Sequence, residues 1–219
     1  MKRINIIYYV LFLGLLVFTK TVNSQNEITI EASQVFAKFK FVDSQGKTDN
    51  SYQQISAGAY GLGYRYTSKK NILIKVNAGV SKLGSSLVYE SNSYAWSLQY
   101  LDLKIGAGYI LNKWKLKPYF MVAPYYAYLL KANQTINSQN YDIKKSNSIK
   151  GSDYGIICTP GLKFSISDNF SIYGEYNYIY GLQNNEVNSK QQLYNRAYSF
   201  SLGMALKLSK NSPQWLQEK

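Results

Sequence analysis

From Tyr194 to Leu208 large and small side chains alternate with a period of two. Even positions carry Tyr194, Arg196, Tyr198, Phe200, Leu202, Met204, Leu206 and Leu208; odd positions carry Asn195, Ala197, Ser199, Ser201, Gly203, Ala205 and Lys207. Period two means a strand with two different faces. The split recurs at Ile72, Ile74, Val76, Ala78 and Val80 against Leu73, Lys75, Asn77, Gly79 and Ser81. Tyr60–Tyr66, Tyr154–Phe164 and Phe170–Tyr180 show it too. In a soluble sandwich the large face is the core and the other face is solvated. Gly, Ala and Ser add nothing to a solvated face, but they fit the narrow interior of a closed barrel. The large face then meets lipid, with tyrosines as interfacial girdles.

The pattern predicts an all-β fold, an eight-stranded antiparallel up-and-down transmembrane β-barrel. Its strands run over roughly 28–42, 53–67, 71–84, 94–110, 115–131, 153–167, 170–182 and 194–208, with boundaries good to about ±2–4 residues. In the fourth strand the apolar parity switches after Tyr100, which predicts a β-bulge there that keeps Tyr94, Trp96, Leu98 and Tyr100 on the outer face. In the fifth, Tyr119 and Tyr125 fall on the inward face, and Pro124 predicts a local break. Tight turns at Thr67–Lys70, Leu111–Trp114 and Ser167–Asn169 alternate with longer polar connections at Asp43–Tyr52, Gly84–Ser93, Ala132–Ser152 and Gln183–Leu193. Short periplasmic turns and long external loops are the outer-membrane arrangement. An even strand number then puts both termini in the periplasm.

Ahead of the strands, Lys2 and Arg3 precede an apolar run from Ile4 to Phe18, and Val22 and Ser24 fit a cleavage site. That run is too short for a spanning helix. Residues 1–24 are expected to be a signal peptide, 25–208 the barrel, and 209–219 a short periplasmic tail.

Composition removes most chemistry. With no histidine and one cysteine, Cys158, an intramolecular disulfide, a His or paired-Cys zinc site and an imidazole base are all excluded. Cys158 lies on the lipid-facing parity and reads as a small apolar filler. Gly61-Leu-Gly63 and Gly106-Ala-Gly108 lack the third glycine and the helix of a nucleotide loop. Ser199 and Ser201 have no base at a readable spacing. No enzyme, cofactor or metal is expected. The 25 Lys and Arg outnumber the 12 Asp and Glu. The bases are scattered rather than patched, so nucleic acid is not expected. At the rims they suit lipid phosphates or lipopolysaccharide, a role that fits Arg196.

QYLDLKIGAGYILNKWKLKPYFMVAPYYAYLL from Gln99, DYGIICTPGLKFSISDNFSIYGEYNYIYGL from Asp153 and NRAYSFSLGMAL from Asn195 resemble the PorT-like outer-membrane β-barrel family. That family often shows Tyr-Leu-Glu-Ile-Pro, Lys-Pro-Tyr and Gly-Pro-Tyr; here Asp102 stands for Glu, Lys104 for Pro and Ala123 for Gly. The likeness implies location and fold, and an accessory role in secretion at most. Ser201, Gly203, Leu206 and Leu208 also resemble the signal read by the outer-membrane assembly machinery, without its terminal Phe.

The inward parity collects Arg65, Lys75, Asp102, Lys104, Lys117, Lys163, Glu175 and Lys207. Charges inside a narrow barrel must pair or keep water. Lys163 is expected near Glu175, and Asp102 near Lys75 or Lys104. The expected function is a structural or interaction barrel of a Gram-negative outer membrane. Its loops and rims would contact lipopolysaccharide, or envelope or secretion proteins. The alternative is a narrow, cation-lined pore favouring anions.

Overall fold

Runs of β-branched and aromatic residues, punctuated by Gly, Asn, Asp and Ser, set the strand boundaries. The structure, a computed structural model, describes residues 25–187 and 190–208. The expected signal peptide and the tail 209–219 lie outside them. Ten strands follow in chain order: β1 (Gln25–Val42), β2 (Thr48–Asp49), β3 (Ile55–Thr67), β4 (Ile72–Tyr89), β5 (Asn92–Ile110), β6 (Leu116–Ile136), β7 (Gln139–Asp142), β8 (Ser152–Ser165), β9 (Phe170–Gly181) and β10 (Gln192–Lys207).

All pairings are antiparallel, and β10 closes the ring on β1. β2 and β7 are short additions to β1 and β6, so eight strands form the wall. Closure requires a stagger. Going round by registered partners from Phe36 through Tyr198, Tyr178, Cys158, Val122, Ala107, Ile74 and Tyr66 returns to β1 at Asn26. The stagger is therefore 36 − 26 = 10 residues.

Odd residues of β1, β3, β4, β8, β9 and β10 point inward, as the alternation predicts. β5 differs from expectation: it keeps one phase, so Leu98, Tyr100 and Asp102 are all buried inside. The bulge is real but sits on β6. Gln99 faces Lys131 and Tyr100 faces Leu129, leaving Leu130 as the extra residue. Large apolar side chains inside the barrel removed the size contrast on which the sequence reading relied.

Two expected loops are largely strand. β4 and β5 run on to a two-residue turn at Glu90-Ser91, both left-handed (φ 47° and 66°), where a longer polar connection from Gly84 to Ser93 was expected. That is the geometry a twisted hairpin favours. Asn137-Ser138 turns β6 into β7 in the same way (φ 45° and 72°). Nor does Pro124 break β6. Register is the same on either side of it, Lys104 with Tyr125 and Ala107 with Val122. The missing N–H removes one rung toward β5. Pro160 does the same between β8 and β9.

Candidate functional site

Near the short-turn end, Gly161 and Gly203 leave room for the rings of their register partners on the neighbouring strands, Tyr119 and Tyr173. A Cβ on Gly203 would lie 2.2 Å from Tyr173 Cζ, and one on Gly161 2.4 Å from Tyr119 Cζ. The two phenol rings thus lie flat over bare backbone. Between them Arg65 is held with its guanidinium carbon 4.2 Å from the Tyr173 ring centre and 5.2 Å from that of Tyr119.

Glu175 is the hub of this layer. Its carboxylate accepts from Lys75 Nζ at 2.8 Å, Tyr119 Oη at 2.7 Å and Arg65 Nη2 at 3.2 Å. Lys75 also donates to Glu31 at 2.6 Å, which accepts from Tyr173 Oη at 3.0 Å. β4 and β9 are four strands apart by either route round the ring, so the Lys75–Glu175 bond spans the lumen. Lys163 pairs with Glu27 of β1, not with Glu175. Glu175 is opposite Gly161 in register, two residues up the wall from Lys163.

Higher up, Asp102 pairs with Lys104 at 3.0 Å. Beside them is a cavity of about 60 Å³, lined in part by Asn77, Thr159, Asn177 and Ser201. Toward the long-loop end the filling turns apolar: Val35, Phe39, Leu83, Leu98, Tyr100 and Leu129 form one buried cluster. Phe39, Tyr52 and Trp96 cap it, with ring centres 5.6–6.2 Å apart. The Tyr52 phenol, in the 43–54 connection, is pushed up to about 12 by burial and then by Asp49 and Glu186. One polar anchor crosses this layer. Asp153 accepts from Tyr125 and Asn195, each at 2.9 Å, and from Asn185 of the 182–191 connection at 3.3 Å.

The sequence reading placed Arg65, Lys75, Asp102, Lys104, Lys163 and Glu175 inside, and there they lie, with Lys117 and Lys207 half-buried on the same parity. Asp153, on the same inward parity near the external end, is buried as well; the reading missed Glu27, Glu31 and Asn185. For the first two the signal was present: Glu27, Thr29, Glu31 and Ser33 alternate with Ile28, Ile30 and Ala32. With them the lining holds six bases and five acids, so the expected cationic lining is corrected to near balance. In β10, Ser201 and Gly203 face inward, while Leu206, and Leu208 just beyond the strand, are exposed.

The outer wall is the opposite of balanced. Every acid of the eight wall strands faces inward, while Lys38, Lys40, Lys82, Lys131 and Arg196 face outward toward the long-loop end. Below them lies a belt of outward tyrosines that includes Tyr126, Tyr154, Tyr178, Tyr180 and Tyr198.

Among solved structures, the chain is similar to Neisserial surface protein A, NspA (TM-score 0.55, 13% identity, 85% of this chain and 99% of that one). It is also similar to the outer membrane protein OprG from Pseudomonas aeruginosa (TM-score 0.52, 9% identity, 84% and 97%). At such identities the likeness is one of fold. No curated protein matches by sequence. The profile of the outer membrane protein beta-barrel domain matches residues 10–205. The closed eight-stranded wall, its apolar exterior and this match make the chain a member of the outer membrane protein beta-barrel domain family, integral to the outer membrane.

Proposed function

We propose that this protein is a non-conducting barrel with a structural or interaction role in the envelope, whose outer rim and external loops make its contacts. The observation that carries this reading is the filled lumen. A cross-braced ionic layer stands at one end and an apolar plug at the other. With the interior closed, contacts are left to the surface, where unbalanced outward bases suit lipopolysaccharide phosphates. Within the family we assign the chain to the PorT-like group, on the stretches from Gln99, Asp153 and Asn195, which build β5–β6, β8–β9 and β10. That assignment makes secretion or other envelope proteins the protein partners to seek. We read Ser201, Gly203, Leu206 and Leu208 as the signal engaged by the assembly machinery. We propose no catalytic role; Glu27, Glu31, Asp102 and Glu175 are each held by a base.

Planar-bilayer recording of the refolded protein tests the reading. The expected record has no unitary steps. Reproducible anion-selective steps would establish the narrow pore instead. Copurification from native outer membrane then identifies protein partners.

A further inference from the structure

Arg196 on β10 and Lys38 on β1 are direct partners across the strand pair that closes the barrel. Both face outward, and Lys40 lies two residues further along β1, opposite Tyr194. Like charges directly opposite each other destabilise a strand pair. No acid faces outward on any wall strand to relieve them.

Arg196 is nonetheless held in place. Its guanidinium carbon stands 3.5 Å from the Tyr180 ring centre and 5.6 Å from that of Tyr194. Nη1 donates to the carbonyls of Gly181 and Asn195. Among the described residues, Nε and Nη2 make no hydrogen bond. Below this group runs an aromatic ledge. Phe36 stacks on Tyr198 at 5.1 Å, and Tyr198 on Tyr176 at 6.1 Å. By contrast, the outward faces of β4 and β5 at corresponding depth are aliphatic, with half-buried Val80 and exposed Leu101 and Leu103. A fixed cation with free donors, two exposed cations beside it and a flat apolar surface beneath match an anionic head group above acyl chains.

We propose that Arg196, Lys38 and Lys40 hold a phosphate of an outer-leaflet phosphorylated glycolipid, whose chains lie along Phe36, Tyr198 and Tyr180. The site deepens the rim-contact reading of the previous subsection and rests on it. Arg supplies a planar donor fork suited to phosphate, and the lysines supply charge. Neutralisation by the phosphate removes the Lys38–Arg196 repulsion.

The test uses residues 25–219 refolded in neutral detergent, with heat-modifiable migration as the check of folding. A diphosphorylated glycolipid is titrated by native mass spectrometry. Arg196→Gln and Lys38→Gln should each weaken retention about tenfold, the loss of a charge-assisted phosphate contact. Arg196→Lys should keep only part of the affinity, because charge remains and the stacked fork is lost. Lys82→Gln/Lys131→Gln, a basic pair on the far wall, should change it less than about twofold. Inorganic phosphate should bind far more weakly than the glycolipid, since it leaves the aromatic ledge uncovered.

Equal losses at the two walls would mean diffuse attraction and overturn the site. So would inorganic phosphate binding as tightly as the lipid, or wild-type protein occupying the ledge as a dimer. If wild type binds no phosphorylated lipid yet copurifies with an envelope protein through its loops, this site fails and the interaction reading stands. Unitary conductance would sink that reading whatever the lipid result.

Discussion

The two ends of the lumen are closed by different physics. At the short-turn end Arg65, Lys75 and Lys163 are buried with Glu27, Glu31 and Glu175, and long side chains tie opposite walls together. At the long-loop end Phe39, Leu83, Leu98 and Leu129 fill the same cross-section by packing. Buried ion pairs return little net stability, because desolvation offsets attraction, but removing one partner strands the other. An apolar plug has no hub, and each side chain contributes its own burial plus the cavity it prevents. The ionic layer should therefore fail at one residue, and the apolar layer should lose stability in proportion to what is removed.

The sharpest way to break that contrast is Glu175→Gln. It leaves Lys75 with Glu31 alone and Arg65 without its carboxylate, so destabilisation of about 3–5 kcal/mol is expected in urea unfolding. Glu175→Gln combined with Lys75→Met should recover part of the loss by removing the stranded charge. A single variant indistinguishable from wild type would show the layer to be hydrated and screened.

Leu98→Ala tests the other end. Leu98 is 0% exposed, and its loss should cost about 2–5 kcal/mol, graded by how far the cap around Trp96 collapses. If this variant also admits ions while Glu175→Gln does not, the apolar plug is the seal and the ionic layer a brace.

These layers were unequally legible in the sequence. The ionic layer could be read because charges among glycines on one parity stand out: Arg65 between Gly63 and Thr67, and Lys163 two residues after Gly161. Their partners could not be paired, since Lys163 reaches Glu27 across 136 residues of chain and no spacing encodes that. The apolar layer was invisible. Leu98 and Tyr100 inside β5 look like outward residues, and the bulge that seemed to explain them belongs to Leu130 on the neighbouring strand. Parity reports a face only where one face is small.

Gly203→Ala asks how firmly the ionic layer is packed. The new methyl would meet the Tyr173 ring, which stacks on Arg65 and donates to Glu31. Overpacking of this kind costs about 1–3 kcal/mol. Tyr173→Leu in the same chain should relieve the clash, and a non-additive cycle would show that ring and glycine act as a unit.

The smallest effect expected is at Pro124, on the wall between the two layers. Pro124→Ala supplies an N–H that can complete the rung to β5 opposite Ile105, and a net hydrogen bond contributes about 0.5–1.5 kcal/mol. The same change frees the unfolded chain from a fixed φ, which removes about 0.4–1 kcal/mol. The two nearly cancel, so stability should move by less than about 1 kcal/mol in either direction. The local readout does not cancel. The new amide should exchange slowly with solvent deuterium, at the level of its β6 neighbours, because it would sit inside a paired strand on the lipid face. Rapid exchange would show that β6 is pulled away from β5 at mid-wall. Pro124 would then mark a real parting of the ladder rather than one missing rung in an otherwise continuous wall.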